Sequence, residues 1–176
     1  MRLSIRCAMA ALLPAFCVIS PAFAASASPG VFGWVEEGLI EPEGIAMKIK
    51  LDTGALTSSM DAKDLQRFDR DGEHWVRFKI EVTDAKTGKL SIVDFERPVE
   101  RNVKVRGAGG TEHRPVVMMT MCIGRQLYTE QFSLKNRGKM NYPVLIGRRT
   151  LEHLGAVNVA RTFTLRPDCT SQLAGH

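Results

Sequence analysis

The 176-residue chain is poor in the features that carry the commonest readings of function. It has no Gly-x-Ser-x-Gly nucleophile elbow, no His-Glu-x-x-His pair, no Cys-x-x-Cys, and no glycine-rich loop closed by Lys-Ser or Lys-Thr. Serine hydrolases, zincins, zinc ribbons and P-loop enzymes are thereby set aside. There is no sustained heptad or internal repeat, and the 15 glycines and 8 prolines are scattered, so coiled-coil, solenoid and fibrous classes fall away too. Aromatics are only 7% and no charge sign dominates, with 24 Lys+Arg against 19 Asp+Glu. A formal charge of +5, dispersed in singles and pairs such as Arg148-Arg149, is too mild for a nucleic-acid surface. With 44% hydrophobic residues, the balance is that of one ordinary folded domain.

The first 24 residues read as a secretory leader. Arg2 and Arg6 supply the positive start, Cys7 to Ile19 is apolar except at Pro14, and Ala22-Phe23-Ala24 places small residues where a signal peptidase needs them. The run is too short for a hydrocarbon core that needs about 20 residues, and no later segment approaches that length. Cleavage after Ala24 predicts a periplasmic or secreted protein with no membrane association, the formal charge falling from +5 to +3 as two arginines leave. Cys122 and Cys169 would then be the remaining cysteines, a candidate disulfide in an oxidising compartment and otherwise two buried thiols.

After the leader, 25–42 reads as an N-terminal lead-in that begins with small, turn-rich residues, and 43–176 as the folded domain. The dominant period is two. Val76 to Val82 alternates without a fault, Val157 to Leu165 repeats the pattern with a break at Arg161, and Ala46 to Leu51 forms a strand leading to Asp52. Val116 to Ile123 is a continuous apolar run, and Tyr128 to Leu134 resumes after Gly124-Arg125, which reads as a hairpin. Helix is sparse, with a turn or two over Asp61 to Phe68 and a short helix over Arg149 to Leu154 stopped by Gly155. A mostly β chain of short strands points to a closed barrel or sandwich. Gly107-Ala108-Gly109-Gly110 reads as a hairpin tip. His74, His113, His153 and His176 are far apart in sequence and in no metal-ligand spacing, so the residues predict no metal and no cofactor.

One segment carries chemistry. Lys50-Leu51-Asp52-Thr53-Gly54-Ala55-Leu56-Thr57-Ser58-Ser59 places an acid, a hydroxyl and a glycine directly after a buried strand. The glycine permits a tight turn, and neighbouring N–H and hydroxyl groups are available to orient the carboxylate. Asp-Thr-Gly by itself often means only a turn. A second element follows 92 residues on, where Tyr142-Pro143-Val144-Leu145-Ile146-Gly147-Arg148 reads as a buried strand running into a helix.

These two elements resemble the retropepsin-like aspartic peptidases, in particular a bacterial branch that has carried the label ATP-dependent zinc protease. Asp52-Thr53-Gly54-Ala55 is similar to their catalytic loop, and Val144 to Arg148 to the strand that passes beneath it. Arg106, the glycine-rich stretch and Glu112 to Val117 fit the middle of the pattern, and the likeness runs from Glu43 to Leu165. Leu56 stands where many relatives carry Arg, and Met60-Asp61 where they carry Leu-His. The resemblance implies a closed acid-protease β-barrel with one or two short helices and an aspartic endopeptidase acting on peptide or protein substrates. Asp52 would be catalytic, with Thr53, Gly54, Ala55, Thr57, Gly147 and Arg148 supporting its loop and Gly107, Gly109 and Gly110 forming a flap. The zinc and ATP of the label have no counterpart in these residues. Since the chain has one Asp-Thr-Gly, two carboxylates require a homodimer. A retropepsin-fold module that binds or dimerises without catalysis is the alternative, and a β-rich secreted domain whose Asp-Thr-Gly is only a turn is a third.

Overall fold

The computed structural model describes residues 30–83, 90–107, 110–138 and 140–173, so the predicted leader lies outside the described residues. The chain is mostly β. Its elements are β1 (Gly30–Glu41), β2 (Ile45–Leu51), β3 (Ser58–Asp61), β4 (Lys63–Arg70), β5 (Glu73–Thr83), β6 (Leu90–Pro98), β7 (Arg101–Gly107), β8 (Gly110–Ile123), β9 (Gln126–Lys135), β10 (Val144–Ile146), α1 (Arg148–Leu154), β11 (Gly155–Thr162) and α2 (Thr170–Leu173). The main sheet runs β11-β1-β2-β10-β3-β9-β8-β7, and the far end of β1 also pairs with β8. That second pairing, Gly38 to Glu41 against Ile123 to Thr120, closes six strands into the expected barrel. Closure leaves those six strands without a free edge, while β11 and β7 remain as the outer strands of the sheet.

Alternation explains the barrel's filling. Met47, Ile49 and Leu51 of β2, Met60 of β3, Val117, Met119 and Met121 of β8, Phe132 and Leu134 of β9 and Val144 and Ile146 of β10 are all buried in one cluster. Each such side chain contributes about 2 kcal/mol by leaving water. A separate three-stranded sheet, β4-β5-β6, packs its own Val76, Phe78, Ile80 and Phe95 onto the same core. Phe78 and Phe95 are cross-strand partners with stacked rings 5.4 Å apart.

Three expectations need correction. The stretch 25–42 is no lead-in from Gly30 onward, because β1 is an integral barrel strand. Glycines and glutamates disguised it. Gly33 and Gly38 lack side chains because a Cβ there would meet the backbone oxygens of Arg161 at 2.7 Å and Cys122 at 3.0 Å, the second also crowding Ile49 Cδ1. Glu36 is fully buried with its carboxylate taken up by the Gly33 N–H, the Thr164 hydroxyl and the Leu165 N–H. The turn of helix over Asp61 to Phe68 is instead the end of β3 and most of β4. Ala62 and Leu65 have helical spacing, yet a register shift between Lys63 and Gln66, with Asp64 at φ +50°, resets the strand so that both turn to the core, while Phe68 lies on the other face beside its partner Trp75. Finally, β11 ends at Thr162, because Phe163 adopts φ +51°. The Gly124-Arg125 hairpin, the helix ended by Gly155 and the strand before Asp52 are all present. Cys122 and Cys169 are joined by a disulfide that fastens the segment before α2 to the end of β8.

Candidate active site

Asp52 follows β2 directly, and its peptide N–H donates to Ile146 O at 2.8 Å. β10 runs parallel to β2 with Ile146 opposite Leu51, which sets the two sequence motifs against each other at their ends. The 52–57 loop is then bound along its length. Arg148 N–H donates to Ala55 O at 2.9 Å and Arg149 N–H to Leu56 O at 3.3 Å. The Arg148 guanidinium donates to Thr53 O at 3.2 Å. Gly147 is required by contact, since a Cβ there would lie 2.5 to 2.8 Å from the backbone C, O and N of Thr57. Thr57 thus supports the loop through its backbone.

Within the loop, Gly54 N–H donates to Asp52 Oδ1 at 3.0 Å and Lys50 Nζ to Oδ2 at 3.1 Å. Partial burial pushes the Asp52 carboxyl up, but the Lys50 hydrogen bond, the Gly54 N–H, the Lys50 charge and the Ala55 N–H together outweigh it and hold the group below its ordinary 3.8. An ionised carboxylate at the end of a strand, oriented through both oxygens, can accept a proton from water. Thr53 and Gly54 are exposed beside it.

Sequence reasoning missed the buried polar layer behind the loop. Ser58 Oγ accepts the Gly147 N–H at 3.1 Å and shares a 2.8 Å hydrogen bond with Thr150 Oγ1. Ser133 Oγ donates to Ser58 O. Farther along β3, the buried Arg137 donates from its guanidinium to Ser59 Oγ at 2.8 Å and Tyr142 O at 3.1 Å, and from its backbone to Asp61 Oδ1. Burial lowers the Arg137 pKa, and the charge of Asp61 offsets only part of that. Lys63 reaches the other Asp61 oxygen at 3.3 Å. The signal available in the sequence was Asp61 itself, a charged residue in an otherwise well-matched motif.

A cleft of about 280 Å³ adjoins the loop at Thr57, walled by Val103, Val116 and Met118 with Arg101, Arg149 and His153 at its polar side. It lies between the base of the β7–β8 hairpin and α1. Gly107 and Gly110 pair at the end of that hairpin, while Gly109, the remaining flap candidate, lies outside the described residues. Among the described residues no group of three or more His, Cys, Asp or Glu side chains could hold a metal ion, and no helix is long and apolar enough to cross a membrane.

Comparison with known proteins agrees with this geometry. Residues 31–168 match the family described as RimB-like, retropepsin-like aspartic endopeptidase RimB. A crystal structure of a protein of unknown function (DUF785) from Legionella pneumophila superposes with a TM-score of 0.67 at 31% identity, over 79% of this chain and all of the other. Two curated relatives are named probable alpha-L-glutamate ligase. The one from Desulfotalea psychrophila is 33% identical over 107 residues, and the one from Shewanella pealeana 32% identical over 122. The matches span 60% and 68% of this chain but only 23% and 26% of those proteins, so the ligase name belongs to a much longer polypeptide.

Proposed function

Because the chain belongs to the RimB-like family of retropepsin-like aspartic endopeptidases, we propose that it hydrolyses peptide bonds with a water activated between two Asp52 carboxylates, one from each subunit of a homodimer. The carrying observation is Asp52 itself, aimed out of the barrel at the end of β2 with its loop braced by β10 and α1. Like carboxylates a few ångströms apart share one proton. The ionised member takes a proton from water as the water oxygen bonds to the scissile carbonyl carbon, and the protonated member gives its proton to the carbonyl oxygen. Collapse of the tetrahedral intermediate breaks the C–N bond, the amine leaves with a proton, and the pair again holds one.

A two-fold axis beside Asp52 would place the exposed Thr53 hydroxyls where they can bond across it. The outer edge of β11, the last strand of the main sheet, carries Val159 at 79% and Phe163 at 53% exposure nearby in sequence, an apolar surface suited to a second copy. The β7–β8 hairpin would close over substrate. Lys48 and Lys50 alternate with the β2 core and share the outward face with Asp52. Together with relatives that carry a glutamate-ligase name, they favour an acidic peptide as substrate. The leader-like first 24 residues and the Cys122–Cys169 disulfide support action in the periplasm or outside the cell.

The test is Asp52→Asn, which keeps the shape but cannot act as a base. Peptide cleavage should vanish with folding and self-association intact, and a strong chelator should leave the native activity unchanged. Unchanged cleavage by the Asn variant would remove the catalytic reading. A folded, self-associating native protein without hydrolysis would establish instead an inactive retropepsin-fold binding module.

A further inference from the structure

Lys50 stands two residues before Asp52, so the strand pleat turns both side chains to the same face. Its ammonium contacts Asp52 Oδ2 at 3.1 Å while the Gly54 N–H holds Oδ1. The backbone of Lys50 is fixed by pairing with Val35 on one side and Leu145 on the other, and its side chain is about one-third exposed. The lysine is therefore built into the site, on a strand, in contact with the reacting group. Other charged groups around Asp52 among the described residues are Arg148 from α1, engaged on Thr53 O, and Arg137 after β9, itself surrounded by Asp61, Lys63 and Arg114. Among the described residues, Lys50 is the cation bonded directly to the Asp52 carboxylate.

A bare pair of carboxylates relieves its repulsion only by retaining a proton. In the proposed dimer each subunit would bring its own cation to the pair. We propose that Lys50 is a positioning residue for the reaction: its ammonium clamps Oδ2 and supplies positive charge that a carboxylate pair otherwise obtains only from its shared proton, which moves the working pH range toward acid. The inference rests on the Asp52-pair reading and adds to it the residue that sets its pH window. The sign is fixed by charge. A cation favours the ionised carboxylates, so removing it raises both macroscopic titrations of the pair, and both limbs of the activity profile move to higher pH.

Lys50→Met keeps most of the stem's packing and removes the charge, while Lys50→Arg retains a cation. In the full chain, Asp52 is followed by carbon NMR of its carboxyl, assigned by its loss in Asp52→Asn, alongside kcat/KM against pH for a test peptide. Lys50→Met should raise the Asp52 titration and shift both limbs upward by about one pH unit, the low end expected for a partly exposed partner, with Lys50→Arg returning both toward the native values. An Asp52 titration unmoved by Lys50→Met, in a protein that Asp52→Asn inactivates, would overturn the role of Lys50 and leave the carboxylate pair standing. A native protein with no hydrolysis, whose Asp52 nonetheless shifts with Lys50→Met, would overturn the pair and this role with it.

Discussion

Gly147→Ala isolates the packing of the two motifs against each other. Gly147 has φ −93° and ψ 173°, extended backbone that alanine adopts freely, so no conformational strain confuses the result. The cost is steric. The new Cβ would meet the Thr57 carbonyl carbon at 2.5 Å, its oxygen at 2.7 Å and its nitrogen at 2.8 Å, and backbone atoms cannot rotate away as a side chain can. Relief requires the 52–57 loop to move off β10, straining the bonds from Arg148 N to Ala55 O and from Gly147 N to Ser58 Oγ. We expect about 3 kcal/mol of destabilisation, at the upper end for overpacking, which corresponds to roughly 6–12 °C in Tm for a domain of this size. Peptide cleavage per folded molecule should fall as well, because the displaced loop carries Asp52. Gly44→Ala is the matched control. Gly44 has φ +65° and nothing within 4 Å, so only a left-handed backbone penalty of about 1 kcal/mol applies. Thermal and denaturant unfolding of both variants decide the matter. If Gly147→Ala costs no more than Gly44→Ala and cleaves normally, the loop is not held against Gly147 as described.

Replacing both Cys122 and Cys169 by Ser opens a covalent loop of sequence separation 47 and should cost about 2–4 kcal/mol in denaturant unfolding; a loss below about 1 kcal/mol would contradict the bridge's role. Glu36→Gln keeps one oxygen for the Gly33 N–H and the Thr164 hydroxyl and turns its amide N–H2 toward the Leu165 N–H. It should destabilise by about 2–3 kcal/mol and speed hydrogen exchange at Leu165, and unchanged exchange there would contradict the latch. His153 Nδ1 is 2.6 Å from Glu130 Oε1, and that hydrogen bond and charge raise its pKa above the ordinary 6.5. The pair's stabilisation is therefore complete below pH 6.5 and lost as pH rises through the raised value. Since the imidazole is largely exposed, it should amount to less than about 1 kcal/mol. Glu130→Gln should flatten that part of the Tm–pH curve, and an unaltered curve would refute the assignment.

Much of the fold was legible because the barrel strands alternate so regularly. β2 and β5 follow from periodicity, the β8–β9 hairpin from an apolar run and the turn at Gly124-Arg125, and Asp52 and Gly147 from the meeting of an Asp-Thr-Gly turn with a buried strand that ends in glycine. Legibility failed where a side chain's burial was satisfied by distant backbone. Nothing near Glu36 in sequence marks it as buried, because its partners Thr164 and Leu165 lie over 120 residues away, and β1 passed for part of the lead-in. β4 was misjudged because a single residue at positive φ shifts the face of a strand without changing its composition. Lys50 could have been found, since two residues is the strand period and places its ammonium beside Asp52. Asp61 pointed toward Arg137, but the layer of Ser58, Thr150 and Ser133 could not be found, because common polar residues acquire meaning only when the fold brings them together.

The shared pair of aspartates is tested most directly by mixing subunits. Native chain and Asp52→Asn are combined in equal amounts, allowed to exchange, and assayed for peptide cleavage at a total concentration well above the dimer dissociation constant. If each site needs two Asp52 carboxylates, random pairing leaves about one-quarter of the dimers competent, and specific activity per total chain should settle near one-quarter of the native value. Dilution should lower it further as dimers part. Activity near one-half, independent of concentration, would mean that each chain works alone with its single aspartate, and the shared-carboxylate mechanism would be contradicted.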